Sequence, residues 1–258
     1  MSHPAAPTPG LEPDTPAWHI QPQGDRCLLV RFGDTLDAHT GQICLAAARM
    51  LRDANLPGAT DIVPSFTAVG VHYRPNGDGP TYAQLVERIE RALAPGIHPD
   101  PSAGREIEIP VCYGGEFGPD LPEVAQRAGV SPDEVVALHS GPLSMVFMLG
   151  FAPGHAYIGI HDERLSIPRR DTPRVSIPAG AVGVANRQTV IYPGNLPGGW
   201  SIIGATPLVL FDPAREPAAL LAPGDRIRFV PIDADEYARL RSLPGGAPAI
   251  YRTDREQA

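Results

Sequence analysis

The stretch from Pro142 to Phe211 constrains the fold of this chain more than any other part of the sequence. Only eight of its 70 residues are charged, and seven of these lie between Asp162 and Arg174. The remainder consists of short apolar runs separated by glycine and proline, in a chain with 27 glycines and 31 prolines. Short apolar runs between such residues are typical of an all-β barrel or sandwich. The ionic groups are then collected on one loop of a mostly buried segment.

The first hundred residues follow a different pattern. Apolar runs at 27–32, 62–63 and 69–73 predict strands, and helical spacing begins after Leu36 and after a capping box of Thr81 and Gln84. The order strand, helix, strand, strand, helix is typical of a ferredoxin-like α/β domain. Two short helices follow, with Asp120 and Ser131 as predicted N-caps.

The sequence therefore predicts an α+β protein with two folded domains and two flanking segments. The predicted boundaries are 1–17 for a flexible Pro-rich tail, 18–100 for the small ferredoxin-like domain, 105–232 for the β-rich domain, and 233–258 for a C-terminal helix and tail.

Composition excludes several classes of function. All 21 basic residues are arginines, so the chain has no lysine for a phosphate loop, a Schiff base or an attached biotin or lipoate. If ATP is used, a partner chain or an unfamiliar site must hold it. The net charge of −8 argues against nucleic acid or an anionic membrane as a general partner. With no signal-peptide pattern and no uninterrupted apolar span, we expect a cytoplasmic protein.

Neither a disulfide framework nor a metal site is predicted. The three cysteines, Cys27, Cys44 and Cys112, are far apart and form no Cys-x-x-Cys pair, which favours small buried side chains. His155 with His161 and the acidic residues after it matches no zinc or non-haem iron spacing.

The charged loop is the strongest candidate for a ligand-binding site. It carries four arginines beside three acidic residues: Arg164, Arg169, Arg170 and Arg174, with Asp162, Glu163 and Asp171. The planar guanidinium fork suits carboxylate or phosphate oxygens. The alternative is a solvated turn whose charges pair with one another at little energetic gain.

Four further residues are candidates outside the charged loop. His155 lies between turn residues and an apolar strand, where it is either a general acid or base or a buried side chain bonded to the backbone. Trp200 ends a Pro-Gly-Gly turn and is either a ligand platform or part of the core. Gln188 and Thr189 interrupt an apolar run and either face a cavity or satisfy backbone groups of a barrel.

Several motifs occur together and in order along residues 18–232. They are Ile107-Glu-Ile-Pro-Val-Cys-Tyr-Gly-Gly115, Gly118-Pro-Asp-Leu121, Gly150-Phe-Ala-Pro-Gly154, Ile167-Pro-Arg-Arg-Asp-Thr-Pro-Arg174, Val175-Ser-Ile-Pro-Ala-Gly180, Gln188-Thr189, Tyr192-Pro193, Pro197-Gly-Gly-Trp200, Leu210-Phe-Asp-Pro-Ala-Arg215 and Pro223-Gly-Asp225. In these motifs the chain resembles the family of the 5-oxoprolinase B subunit, which also includes the sporulation-kinase inhibitor KipI and proteins labelled allophanate hydrolase subunit 1.

The resemblance implies a cyclophilin-like β-barrel after the α/β domain. It also implies a component of an enzyme that works with a carboxyltransferase-like C subunit and a third subunit in the ATP-dependent opening of 5-oxoproline to glutamate. ATP, with Mg, is then expected at a site shared with or carried by the partners. Two alternatives remain open: a KipI-like inhibitor that binds a histidine kinase, and a partner subunit of an allophanate or urea-type carboxyltransferase.

By the same resemblance, the expected substrate-binding residues fall on family motifs; no catalytic residue is assigned. They are Arg169, Arg170, Arg174, Gln188, Thr189, Tyr192 and Trp200, with His155 beside them. The chain departs from the family where it has Gly154-His-Ala-Tyr157 in place of Gly-Phe-Pro-Tyr, and where Arg187 and Val190 replace glycines around the Gln-Thr pair. We expect His155 and Arg187 to change what the site accepts.

Overall fold

The computed structural model describes residues 18–75, 79–243 and 250–252, and for the last three only the strand that they form. The described strands are β1 (His19–Pro22), β2 (Cys27–Arg31), β3 (Ala59–Pro64), β4 (Ala68–Tyr73), β5 (Glu106–Tyr113), β6 (Ser144–Leu149), β7 (Ala156–Gly159), β8 (Arg174–Ile177), β9 (Ala181–Ala185), β10 (Gln188–Ile191), β11 (Leu196–Gly198), β12 (Ser201–Ala205), β13 (Arg226–Ile232) and β14 (Ile250–Arg252). The α-helices are α1 (Ala38–Asp53), α2 (Tyr82–Leu93), α3 (Leu121–Ala128), α4 (Pro132–Ser140) and α5 (Ala234–Arg241).

The first sheet is antiparallel and has the strand order β1-β2-β4-β3. Helices α1 and α2 pack on it around a core that includes Leu28, Val71, Leu51 and Ile89, all buried. The helix α2 begins with the predicted capping box, because the Thr81 hydroxyl accepts from the Gln84 backbone while the Gln84 side chain accepts from the Thr81 backbone.

The ferredoxin-like prediction for this sheet is not confirmed. The three predicted strands, β2, β3 and β4, do lie in the expected order β2-β4-β3. The fourth position, next to β2, is occupied by β1, which precedes it in a hairpin. No strand that follows α2 in the described chain joins this sheet, because β5 pairs with β12, β13 and β14 instead.

The second sheet closes into a barrel, which confirms a β-barrel rather than a sandwich. Seven strands follow one another in the order β12-β9-β10-β7-β6-β13-β5, and β12 also pairs with β5 to close the ring. The strand β14 adds to the edge of β5 at Glu106–Glu108. Closure leaves few free strand edges and places one face of every strand inside. The cyclophilin-like description stays a prediction.

Alternation along the barrel strands separates two apolar clusters. Val182, Val184 and Ile191 belong to the main core of the barrel. Their neighbours in sequence, such as Ala181 and Val190, belong to a second cluster on the opposite face of the same strands. A separate two-stranded ribbon, β8 with β11, contributes Ile177 and Leu196 to that second cluster. The outer face of this part of the barrel is therefore covered, and it forms the floor of the candidate site.

Local signals in the helical connection give mixed results. The Ser131 hydroxyl accepts from the Glu134 backbone at the start of α4, as predicted, and Gly129 ends α3 with a φ of 69°. Asp120 occupies the predicted N-cap position before α3, but its side chain makes no hydrogen bond to the first turn of that helix. Cys27, Cys44 and Cys112 are buried and carry free thiols. Across the described residues, every helix is too short or too polar to cross a lipid bilayer.

One motif of the sequence has a structural role in the loop before β13. The guanidinium of Arg215 donates to the carbonyl oxygens of Val209, Leu210 and Ala218 at 2.9–3.3 Å. The Leu210 and Ala218 carbonyls also accept from the backbone N–H groups of Leu220 and Asp212, so the arginine at the end of the Leu-Phe-Asp-Pro-Ala-Arg motif reinforces a loop that backbone bonds already close.

Candidate functional site

A cavity of about 220 Å³, named here the aromatic cavity, lies on the outer face of the barrel beneath the β8–β11 ribbon. Its wall is formed by aromatic rings, one histidine, one arginine and turn residues: Phe151, His155, Tyr157, Arg169, Pro173, Tyr192, Pro197, Gly198, Gly199 and Trp200. Four of the predicted site residues, His155, Arg169, Tyr192 and Trp200, are therefore brought together here.

Strand register explains why distant rings meet in this cavity. The strands β7 and β10 pair antiparallel up to Ala156 and Ile191. One residue beyond that pair, His155 and Tyr192 stand opposite each other, with ring centroids 5.4 Å apart and planes at 88°. Tyr157 follows on the same face of β7 and lies 5.0 Å from His155 and 6.1 Å from Trp200. Edge-to-face contacts of this kind hold the rings in fixed orientations.

Arg169 supplies the positive charge of the aromatic cavity. Its guanidinium lies 4.9 Å from the centroid of the Trp200 ring, a cation–π contact. The neighbouring backbone fixes the loop, because the Arg170 N–H donates to the Gly199 carbonyl at 2.7 Å. Within the part of the chain that the structure describes, Arg169 forms no ion pair, so its five donors remain available to a ligand.

His155 is a neutral hydrogen-bonding group inside this cavity. Its side chain is 1% exposed, and its Nδ1 has no hydrogen-bond partner among the described residues. Burial, helped by the charge of Arg169, lowers the pKa of His155 to about 4. The ring is therefore uncharged at neutral pH and can offer one nitrogen as a donor or acceptor.

Arg170 and Arg174 lie outside the aromatic cavity and contact acidic residues instead. The two oxygens of Asp120 accept from Arg174 in a bidentate pair, both at 2.7 Å. Arg170 lies 3.3 Å from Asp120 and 3.2 Å from Glu123. The Ile202 N–H donates to Asp120 at 2.7 Å. This cluster joins the charged loop to the start of α3 and to β12, while a substrate-binding role for its arginines stays a prediction.

The electrostatics of Asp120 follow from these contacts. Burial would raise the pKa of Asp120, but the bonds from Arg174 and from the Ile202 backbone, with the charge of Arg170, bring it below its ordinary value. The remaining arginine of the loop, Arg164, is half-exposed and pairs with Asp162 and Glu134. Both interpretations of the charged loop thus apply to different residues: Arg164 pairs in solvent, and Arg169 faces a cavity.

Thr189 lies in a buried polar network inside the barrel, away from the aromatic cavity. Its hydroxyl lies 2.9 Å from Nε2 of His139 and 2.7 Å from Nε2 of His161, and the hydroxyl of Tyr113 lies 2.7 Å from Nδ1 of His139. The two imidazoles stack with centroids 4.9 Å apart. Gln188, at the start of β10, is half-buried and lines no part of the aromatic cavity.

Burial decides the charge of this network. It lowers the pKa of His161 to about 4 and that of His139 well below its ordinary value, and it raises the pKa of Tyr113. All three groups are therefore neutral at pH 7, and the Thr189 hydroxyl donates to one imidazole and accepts from the other. Nothing in the sequence indicated that the ring of His139, near the end of α4, reaches the barrel core.

The aromatic cavity suits binding more than independent catalysis. It presents one free guanidinium, one neutral imidazole and aromatic walls, and its lining contains no serine, cysteine or carboxylate that could act as a nucleophile or base partner. A small molecule with a carboxylate and a second hydrogen-bonding group matches these features. In the described part of the chain, no group of three or more His, Cys, Asp or Glu side chains could hold a metal ion.

Sequence reasoning missed two residues of the cavity, Phe151 and Tyr157. Tyr157 could have been found from alternation, since it lies two residues after His155 in a strand. Phe151 had no such signal: its φ of 71° lies in the left-handed region, and its side chain is 64% exposed at the cavity mouth.

Comparisons with known proteins agree with this architecture. The model of the carboxyltransferase domain, subdomain C and D, matches residues 18–221. The 5-oxoprolinase B subunit of Bacillus subtilis (strain 168) is 41% identical over 232 residues, which are 86% of this chain and 96% of that protein.

Two solved structures with the same fold belong to longer chains. The crystal structure of TTHA0988 is 37% identical with a TM-score of 0.70, covering 81% of this chain but 40% of that one. The structure of the K. lactis urea amidolyase matches with a TM-score of 0.72 over 90% of this chain and 16% of that one. At 16% identity, this match shows a shared fold and nothing more. By family match and by identity over nearly the whole length of a relative, the chain belongs to the 5-oxoprolinase B-subunit family of carboxyltransferase subdomain C and D proteins.

Proposed function

We propose that this chain is the B subunit of an ATP-dependent 5-oxoprolinase-type amide hydrolase that opens 5-oxoproline to glutamate. It acts with a carboxyltransferase-like C subunit and a third subunit, and it is inactive without them. The relatives named as the B subunit of 5-oxoprolinase support this choice of reaction. The observation that carries the substrate site is the free guanidinium of Arg169 on the wall of a cavity that also contains the unpartnered Nδ1 of His155.

The chemistry of 5-oxoproline matches the aromatic cavity. The substrate is a small five-membered ring with a carboxylate and an amide. In this proposal Arg169 binds the carboxylate, and Trp200 holds the guanidinium in place through the contact at 4.9 Å. The neutral ring of His155 bonds to the amide and orients it, while Tyr157 and Tyr192 exclude water.

The nucleotide is assigned to a site outside the aromatic cavity. A magnesium-bound triphosphate carries several charges, whereas this cavity offers one guanidinium and no carboxylate for the metal. These residues do not fit ATP with Mg, so its binding and the phosphorylation step are assigned to a partner or to a surface completed by one.

Exposed apolar side chains near the cavity fit the proposed partnership. Phe151 is 64% exposed at the cavity mouth, and Val175 is 91% exposed on the β8–β11 ribbon above it. Large exposed apolar side chains beside a pocket are typical of interaction surfaces. Since the related part of TTHA0988 is two fifths of a longer chain, a second unit next to this one is also expected. We propose that the C subunit covers this rim and closes the cavity.

The test is a reconstitution with the neighbouring gene products. The chain, the C subunit and the third subunit are co-purified, and release of phosphate and glutamate is measured with 5-oxoproline and ATP. We expect no turnover by the chain alone and turnover by the complete mixture. Arg169→Met should raise the KM for 5-oxoproline at least tenfold, since a charge-assisted bond contributes about 1.5–3 kcal/mol.

Arg164→Met is the matched control, because Arg164 is on the same loop but pairs with Asp162 and Glu134 in solvent. It should leave the KM unchanged. A verified complete mixture that ignores 5-oxoproline would contradict the proposed substrate. Inhibition of a histidine kinase by the chain alone would instead favour the KipI-like function.

A further inference from the structure

A second cavity, named here the junction cleft, separates the N-terminal α/β part from the barrel. It has a volume of about 260 Å³ and is open on one side. One wall comes from α1, the other from β6 and the turn before β13, and residues 100–103 of the connecting segment form its edge. It shares no lining residue with the aromatic cavity.

Three polar side chains of the junction cleft have no hydrogen-bond partner within the described residues. Ser144, on β6, is 4% exposed, yet its hydroxyl makes no hydrogen bond. Gln42 and Arg49, both half-buried on α1, likewise make no side-chain hydrogen bond or ion pair. Hydrogen-bonding groups that no protein group uses are available to a ligand, and three of them line this one cleft.

The charges around the cleft favour an anion. Arg49 and Arg226 line it, and Arg226 lies 4.0 Å from Glu106, whereas no described carboxylate lies within ion-pair distance of Arg49. The opposing charge at the edge is Asp100, whose Oδ1 accepts from the Ser102 hydroxyl at 2.6 Å and backbone at 2.9 Å. These bonds lower the pKa of Asp100 more than the charge of Arg49 does. Because they orient the Asp100 carboxylate toward its own turn, the Arg49 guanidinium remains available to an anion.

We propose that the junction cleft binds the phosphate group of a small molecule. The donors are the guanidinium of Arg49, the amide of Gln42 and the hydroxyl of Ser144. They come from two elements on opposite walls, so they approach a ligand from different directions. A tetrahedral phosphate presents oxygens in several directions and can accept from all three, whereas a carboxylate has only two coplanar oxygens. Leu45 and Met145 add apolar surface for the rest of the molecule.

The test is isothermal titration of the purified chain with inorganic phosphate at low ionic strength. We expect saturable binding with one site. Arg49→Met should weaken it at least tenfold, Ser144→Ala several-fold, and Asp100→Asn should tighten it because a nearby negative charge is removed. Arg91→Met is the matched control, since Arg91 is a 72% exposed helical arginine on α2, and it should leave phosphate binding unchanged.

Further titrations distinguish the source of the phosphate and the class of anion. ATP that competes with inorganic phosphate would assign the group to a nucleotide, and ATP that does not compete would assign it to free phosphate or a smaller phosphate ester. Either result keeps the proposal. Acetate that binds as tightly as phosphate, or an Arg49→Met variant with wild-type melting and wild-type phosphate affinity, would overturn it. Since neither measurement needs turnover, the outcome is separate from that of the proposed amide hydrolase.

Discussion

Replacing Asp120 with alanine should strongly destabilise this protein. The Asp120 side chain is 6% exposed and accepts four hydrogen bonds: two from Arg174, one from Arg170 and one from the Ile202 backbone. Alanine leaves the Ile202 N–H buried without a partner and removes the carboxylate that compensates Arg174. Breaking a buried ion pair in this way costs about 3–5 kcal/mol.

The assay is urea unfolding at pH 7, followed by circular dichroism, together with a thermal melt. For a chain of this size, 1 kcal/mol shifts the melting temperature by about 2–4 °C, so Asp120→Ala should melt roughly 10 °C lower. Glu123→Ala is the matched control on α3: Glu123 also pairs with Arg170, but it is 41% exposed. An exposed pair contributes less than about 1 kcal/mol, so this variant should melt close to wild type.

Two outcomes would refute the reasoning. If Asp120→Ala unfolds within about 1 kcal/mol of the wild type, the cluster does not hold the charged loop to α3 and β12. If Glu123→Ala is as unstable as Asp120→Ala, the effect belongs to Arg170 and not to the buried bidentate pair with Arg174.

Two predictions concern the buried histidines. The pKa values of His155 and His161 are about 4 in the folded protein, below the ordinary value of 6.5, so the unfolded chain takes up protons first as the pH falls. The free energy of unfolding should be highest above pH 6.5 and should decrease toward pH 4 by about 3 kcal/mol for each histidine. The decrease is measured as a falling midpoint of urea unfolding. A midpoint that stays constant from pH 7 to pH 4.5 would contradict this prediction. His155→Phe should remove the part of that decrease that belongs to His155. In the reconstituted complex, the same variant should raise the KM for 5-oxoproline. An unchanged KM would place the substrate away from this ring.

Patterns that depend on neighbouring residues were read correctly from the sequence. The capping box of Thr81 and Gln84 and the Ser131 cap are both confirmed, because each involves residues within one helical turn. A β-barrel or sandwich was also expected, since its short apolar runs and turns follow one another along one continuous stretch, and the pairing of β12 with β5 decides for the barrel. The ferredoxin-like detail is not confirmed, because the same strand pattern is compatible with a fourth strand before or after the others.

Contacts between distant residues could not be predicted in the same way. Asp120 has the position and residue type of an N-cap, yet its carboxylate binds Arg174, 54 residues away. Likewise, Thr189 was a candidate for a cavity, but strand alternation together with barrel closure places it between His139 and His161. Local preference for a cap contributes about 1 kcal/mol, which a buried bidentate ion pair readily exceeds.

By itself, the amino-acid order determined the caps of α2 and α4, the charged loop in the otherwise nearly uncharged stretch from Pro142 to Phe211, and that arginine must supply every strong cation. Only the tertiary structure decided which of those arginines is free. Arg169, Arg170 and Arg174 lie within six residues of one another, yet one contacts Trp200 beside a cavity and two contact Asp120. The reason is that the periodic pattern of apolar residues depends on neighbours along the chain, whereas the pairing of charges depends on distances in space. Those distances are set when the barrel closes.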